Sequence, residues 1–486
     1  MLHAGNPQNK AAARLPHSKA ACGRTTILVA GAVVLQRQPF GAGIRFDFLF
    51  CGVYSCWVLP LDITQEFDAG TEEDFFGALP ARPGVLLVEM KAQGAQPYLV
   101  RTADIRRAAE RLLRIPEAPT KRINLREVAA RVRYRVTGSK FEQALTLYGQ
   151  AREHFPQRYR ALMKLRPPAV LKVNLRNEYP RCYVTRSIRA DGGFYVGPFA
   201  SRRIADSFAE GFLDLFKIRR CQIKIRRDPN FPGCIYSEMK MCLAPCFAGC
   251  TKEEYDVEVG RVVDALGTAG ESLNAQLESE REAASEALDF ERAAAAHKRL
   301  EKVSSEMRGL PEIARPIERL NAVILQCTAE EKTIAAFPIL GGLLKEPVFL
   351  RFAELASDPR SVESILREAL DPQPMVSEQH AARADKSAGA ESKAASEDTA
   401  AGKTTPERDG TVGLLALAPE LPEHLSLIAR WFYSKPREGE IFFRGADWPY
   451  RRILRSCGRL LAPPAAESGG AAQSASEKPD GTKKNS

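Results

Sequence analysis

The chain has 486 residues, with 70 lysines and arginines against 60 aspartates and glutamates, a net charge of +10 and a pI near 9.0. That length is too great for one core and predicts two to four domains, while 44% hydrophobic and 27% charged residues exclude a fibrous or low-complexity chain. No apolar run is long enough to span a bilayer, so no membrane association is expected, and the basic balance favours a polyanionic partner, nucleic acid first.

Residues 1–65 differ in composition from the rest of the chain and read as an extension with no fold of its own. Residues 25–35 form a short apolar run behind basic residues, but no small-residue cleavage site precedes Arg37. The run reads as a core strand or as translation from an upstream start rather than as a signal peptide. The protein is therefore expected to be cytoplasmic, with its thiols reduced.

From Pro83 the pattern becomes regular. Residues 84–89 read as a buried strand, Gly94 as a turn and 97–100 as a second strand, which together predict a hairpin. Thr102 or Asp104 can cap a helix running to about Arg114, and 132–137 alternates as a strand. Ser139 is placed to cap a helix over 140–154. Pro167 and Pro168 break the chain, and two further strands are predicted over 170–173 and 181–188.

Five of the eleven cysteines then fall between Cys221 and Cys250. Cys221, Cys234, Cys242 and Cys246 give the spacing Cys-x12-Cys-x7-Cys-x3-Cys. Four thiolates brought together by loops of that size can close around one metal centre, and a reducing compartment argues against a disulfide framework. Tetrahedral zinc and a [4Fe–4S] cluster both accept four thiolates, so the pattern leaves the two open. Lys217, Arg219, Arg220, Lys224, Arg226 and Arg227 flank Cys221, and Lys224 and Arg226 alternate with Ile223 and Ile225 as on one face of a strand or extended loop. Such a row suits DNA phosphates.

Residues 271–307 are strongly helical. Leu273, Leu277, Ala284 and Leu288 give one apolar stripe, and Phe290, Ala293, Ala294, His297, Leu300 and Val303 a second. Strands are predicted over 322–326, 335–340 and 347–352 within a small β-rich region, 317–370. Residues 376–411 have the composition of a solvated linker, 412–462 of a helical region with Trp431, Phe432 and Tyr433 in its core, and 463–486 of a disordered tail.

The β-β-α-β-α order over 70–165 resembles the GIY-YIG nuclease domain. The segment over 166–260 strengthens that resemblance. Phe194-Tyr195-Val196-Gly197-Pro198-Phe199, Arg220-Cys221, Pro232-Gly233-Cys234-Ile235-Tyr236, Cys242-Leu243-Ala244-Pro245-Cys246 and Lys252-Glu253-Glu254-Tyr255 look like the cysteine-rich segment of UvrC, a family of the excinuclease ABC complex. Leu288-Asp289-Phe290-Glu291-Arg292-Ala293-Ala294 resembles that family's UVR motif, a helical hairpin through which it meets UvrB. The resemblance implies an α+β protein of nucleotide excision repair. It implies a [4Fe–4S] cluster on Cys221, Cys234, Cys242 and Cys246, contact with double-stranded DNA, and a UvrB-like partner held by Phe290, Glu291 and Ala294.

The cutting machinery does not carry over intact. The family's first tyrosine falls on Leu86 and its second on Tyr98; its arginine falls on Ala108, beside Arg107. Its metal-binding glutamate falls on Leu147 or Tyr148, neither of which holds a divalent ion, so no Mg2+ site is expected. Tyr98 and Arg107 are remnants. After Val412 no strand with clustered aspartates and no glycine-rich hairpin can be read, so the family's second nuclease is not expected either. Three functions compete: a DNA- and UvrB-binding repair protein that has lost its nuclease, an active endonuclease in which Glu142 replaces the missing ligand, and a regulatory protein that uses the hairpin outside repair.

Overall fold

A computed structural model describes residues 58–116, 122–355, 360–371 and 418–462. Most of the predicted extension, the linker over 376–411 and the tail lie outside the described residues. All strand pairs are antiparallel and the helices pack outside the sheets, an α+β architecture.

The first sheet runs in the order Ile63–Glu66, Ala129–Val136, Gly84–Met90, Tyr98–Thr102. Its edge strand Ile63–Glu66 belongs to the segment that composition set aside as an extension; Leu59 and Leu61 just before it are buried. Val85, Leu86, Leu87 and Val88 are each 0% exposed, because the strand is covered on both faces. Leu86 and Val88 pack with the helices Glu72–Ala78 and Ile105–Leu113, while Val85 and Leu87 face Leu147 of the helix Lys140–His154. The caps fall where short polar side chains precede each helix. Asp104 Oδ1 accepts from Arg107 N at 2.9 Å, and Ser139 Oγ accepts from Glu142 N at 3.0 Å. Gly84 opens the central strand because a Cβ there would stand 2.2 Å from the Arg135 carbonyl oxygen.

The second sheet has the order Cys182–Thr185, Ala169–Val173, Phe194–Phe199, Arg315–Pro316. The helices Arg202–Leu213 and Lys252–Gly267 share its core through Phe208, Phe212, Tyr255, Val259 and Val262. Two antiparallel helices, Glu271–Glu286 and Phe290–Met307, are rooted in the same core by Leu273, Leu277, Leu300 and Val303.

The third sheet has the order Leu343–Leu344, Thr333–Leu340, Ala322–Cys327, Glu440–Phe443, with Val348–Arg351 also pairing with Thr333–Leu340. The helices Val362–Leu370 and Tyr450–Leu461 cover one of its faces. The helix Leu421–Phe432 covers the other together with Phe141 and Leu145 of Lys140–His154, which therefore serves two sheets. Trp431 lies in this core, 5% exposed.

A buried polar knot ties these elements. The Glu423 carboxylate, 5% exposed, accepts from Tyr148 Oη at 2.6 Å, Tyr159 Oη at 2.8 Å and Arg160 Nε at 2.5 Å. A buried carboxylate holds its charge only when its lone pairs are satisfied in this way.

Candidate functional site

The cysteine segment leaves the second core at Ile218 and returns to it at Cys250. Only two short turns of helix, Ile235–Glu238 and Pro245–Phe247, interrupt its course. Such a segment cannot satisfy its backbone through regular structure, so its anchors must come from elsewhere. The helix Lys252–Gly267 supplies the first of them. Its start is fixed by a capping box in which Thr251 Oγ1 accepts from Glu254 N at 3.1 Å and Glu254 Oε2 accepts from Thr251 N at 2.8 Å. One turn on, the fully buried Tyr255 accepts from Arg219 N at 3.0 Å and donates to the Pro180 carbonyl at 2.8 Å. Glu258 accepts from Lys217 N at 2.7 Å. Leu243 N then donates to Lys217 O at 2.9 Å and Asp228 N to Cys246 O at 2.9 Å, which folds the far part of the loop back on its start.

Arg219 was expected to face DNA and does not. It is 4% exposed and donates to the Tyr179 and Ile223 carbonyls, both at 2.8 Å. Those carbonyls have no strand partner, and a guanidinium with five donors in a fixed fork serves two such acceptors at once. Arg220 pairs with Asp214 at 2.7 Å, and Arg227 donates to the Cys250 carbonyl at 3.0 Å while remaining exposed. Lys217, Lys224 and Arg226 are exposed and make no side-chain hydrogen bond or ion pair among the described residues. The stretch around Ile223 and Ile225 is an extended loop rather than a strand.

Cys221, Cys234, Cys242, Cys246 and Cys250 are all free thiols. Burial pushes the Cys242 thiol up to about 11, and its neighbours Cys221, Cys246 and Cys234 add to the rise. Cys246 is raised by burial and then by Cys234 and Cys221. Cys242 and Cys246 each stand within electrostatic range of Cys221 and Cys234. Ala244 N donates to Cys242 Sγ at 3.3 Å. Cys250, the extra cysteine, hangs from the second core. Among the described residues no three His, Cys, Asp or Glu side chains are gathered closely enough to hold a metal ion as placed. Four thiols with a backbone N–H donating to one of them would suit a thiolate metal centre. Lys240, Ala244 and Ala248 adopt left-handed backbone at φ 57°, 54° and 61°. Each costs on the order of 1 kcal/mol and persists only where its surroundings over-determine it.

In the first sheet Leu86 is fully buried, Tyr98 half-buried and Arg107 exposed. Leu147 lines a cavity, and the Tyr148 hydroxyl is committed to Glu423. Glu142, the one carboxylate offered as a replacement ligand, is 2% exposed and accepts from Gly138 N at 2.9 Å and Arg135 Nε at 3.4 Å. Burial raises its pKa. It closes the N-terminal turn of its own helix.

On the helical pair, Leu300 and Val303 are buried in the second core and Ala296 is buried, whereas Ala294 and His297 are exposed and Phe290 is 69% exposed. The second stripe thus divides into an inner face and an outer one. The turn between the helices sets Leu288 in left-handed backbone at φ 57° and leaves it 71% exposed, beside an Asp289 cap that accepts from Arg292 N at 3.0 Å. Glu291 is exposed on the same tip.

The sequence signal for Tyr255 and Glu258 was present. Thr251 followed three residues later by Glu254 marks a helix start, and both anchors lie on the first two turns after it. No helix among the described residues is long and apolar enough to cross a membrane.

Comparison with known proteins bears directly on this region. Residues 169–265, which hold three of the four strands of the second sheet and the cysteine segment, match the family described as UvrC/Cho excinuclease, middle domain. A UvrABC system protein C from Dehalococcoides mccartyi is 26% identical over 275 residues, 56% of this chain and 45% of that protein. One from Carboxydothermus hydrogenoformans is 32% identical over 219 residues, 44% of this chain and 35% of that protein. One from Ruminiclostridium cellulolyticum is 34% identical over 125 residues, 26% of this chain and 20% of that protein. The chain spans less than half the length of these relatives. No solved structure matches it.

Proposed function

We propose, for a chain that carries a UvrC/Cho-type middle domain and resembles the UvrC family, a DNA-binding role in nucleotide excision repair without a working GIY-YIG nuclease. The observation that carries this reading is the cysteine segment. It lies wholly within the matched residues, is pinned by Tyr255 and Glu258, and presents Lys217, Lys224, Arg226 and Arg227 to solvent. Four cations contacting phosphates give a salt slope of about −3.6 in log affinity against log salt.

Cys221, Cys234, Cys242 and Cys246 would hold the metal centre, read as a [4Fe–4S] cluster with zinc as the alternative. Its chemistry here is structural: a metal bound by four loop residues makes ligand binding part of folding. The exposed tip of the helical pair, with Phe290, Glu291 and Ala294, is read as a UVR hairpin for a UvrB-like partner. Burying Phe290 from its present exposure supplies about 2 kcal/mol.

The loss of cutting follows from chemistry. The position of the metal ligand carries Leu147 or Tyr148, the first tyrosine is Leu86, and Glu142 is spent inside the fold. Removing a metal from phosphodiester hydrolysis costs several kcal/mol of transition-state stabilisation. The test has two arms. Damaged duplex should bind with the steep salt slope and lose at least tenfold affinity in Lys224→Glu/Arg226→Glu, while magnesium or manganese produces no nicking. Metal-dependent nicking abolished by Arg107→Ala, or salt-independent binding, would overturn the reading. Equal affinity for intact and damaged duplex would favour the regulatory alternative.

A further inference from the structure

A second basic surface lies far along the chain from the cysteines. Between the helix Lys140–His154 and the segment after Leu421–Phe432 opens a cleft of about 510 Å3. That volume falls in the range of ligand pockets, about 300–1,000 Å3. Arg101, Lys140, Lys164, Arg430 and Lys435 line it, against a single carboxylate, Glu438. Glu438 is taken up at the rim by Lys140, at 3.2 Å, and by the Lys140 backbone N–H, at 2.8 Å. Arg101, Lys164, Arg430 and Lys435 have no ion-pair partner among the described residues.

The cations are not merely scattered on a surface. Arg430 is fixed by donation from Nη1 to the Met163 carbonyl at 2.9 Å and from Nη2 to the Lys164 carbonyl. With two of the five guanidinium N–H groups used, three remain for a ligand. Burial, together with the charge of Arg101, lowers the pKa of Arg430 from its ordinary value, and both guanidiniums line the same cleft. The floor is apolar: Leu147, Leu162 and Met163 line both this cleft and an adjoining cavity of about 370 Å3 that reaches Tyr98.

We propose that this cleft binds a nucleotide phosphate, with Arg101, Lys164, Arg430 and Lys435 around the phosphate and the Leu147–Leu162–Met163 wall against the nucleoside. Fixed planar donors and a surplus of positive charge suit a dianion better than a single carboxylate. The apolar wall asks for a ligand with an uncharged part. One wall comes from residues 427–438, outside the segment that matches the middle-domain family, so the site is separate from the cysteine platform and independent of its reading. The nucleotide can be free or the phosphorylated end of a strand.

The experiment uses the full chain and four probes in equilibrium dialysis: AMP, adenosine, and a tetranucleotide with and without a 5′-phosphate. At least one phosphorylated probe should bind tenfold or more tightly than its unphosphorylated counterpart. AMP binding as tightly as the phosphorylated tetranucleotide identifies a free nucleotide as sufficient; binding of the tetranucleotide alone identifies a strand end. Arg101→Ser/Lys435→Ser, two exposed positions, should lose at least tenfold, and Lys164→Glu should lose a similar amount. Lys224→Glu/Arg226→Glu should leave this binding unchanged, so the cleft and the cysteine platform can fail separately. No preference for the phosphate in either pair, or wild-type affinity in both cleft variants, overturns the proposal.

Discussion

The first sheet and the cysteine segment are held together by opposite means. In the sheet, four consecutive residues of Gly84–Met90 vanish from solvent because helices close on both faces, and every strand finds its neighbour. In the cysteine segment Ala244, Cys246 and Cys250 are buried, with Pro245 between them, and three non-glycine residues sit in left-handed backbone. Polar anchors do there what apolar burial does in the sheet. On the proposed reading the sheet keeps its fold while Leu86 and Leu147 stand where cutting would need ionisable groups. The cysteine segment carries four free thiols at the predicted ligand positions and, on the proposed reading, would depend on them for its fold.

The sharpest way to break this contrast is to damage each region and watch the other. Leu86→Ala removes a fully buried side chain from the central strand and should cost about 2–5 kcal/mol of stability, measured by denaturant unfolding, with metal content unchanged. A fall in metal content at concentrations where the chain stays folded would mean that the two regions are not independent.

The second effect is a pH dependence rooted outside both. Burial holds His424 at about 4, below its ordinary 6.5, and the neutral ring accepts from Leu344 N at 3.2 Å. Between those values the unfolded chain binds a proton that the folded chain does not. Stability therefore falls as pH drops from about 6.5 to about 4, by up to about 3 kcal/mol. His424→Gln should flatten that part of the curve; an unchanged curve would remove the buried neutral histidine from the account.

Tyr255→Phe comes third. It leaves the Arg219 N–H and the Pro180 carbonyl without their partner, at a cost of about 1–3 kcal/mol. The loss should be local. Hydrogen exchange should rise across 217–250 and stay level across 84–90. The smallest effect is expected from Phe290→Ala, which should change stability by about 0.5 kcal/mol or less because the ring is mostly exposed. It should nevertheless weaken capture of a UvrB-like protein at least tenfold. A large stability loss would place Phe290 in the fold rather than at an interface.

What could be read from the sequence follows the same divide. The hairpin of Gly84–Met90 with Tyr98–Thr102, the caps at Asp104 and Ser139 and the helical pair were legible because periodicity and capping are local signals. Glu440–Phe443 was hidden in a segment that read as helical, since its partner strand, Ala322–Cys327, lies more than a hundred residues earlier. Ile63–Glu66 was passed over because three of its four residues are exposed and nothing in its pattern announces an edge strand. At the candidate site the cysteine spacing was plain, but Arg219 looked like its basic neighbours. Only the three-dimensional structure reveals that two unpaired carbonyls claim it. The outer face of the helical pair was likewise merged with the inner one, because Phe290 and Leu300 fall on one apolar pattern until the root of the pair is placed.

The claim on which the rest depends is that the thiols of Cys221, Cys234, Cys242 and Cys246 fold this segment around one metal centre. Metal and acid-labile sulfide analysis of anaerobically purified full-length chain, with its visible spectrum, tests it most directly. The account predicts about four irons per chain with a broad visible band, both lost in Cys242→Ser. One zinc per chain without colour would keep the centre and change its identity. Metal-free protein in which residues 217–250 remain as protected from hydrogen exchange as before would contradict it.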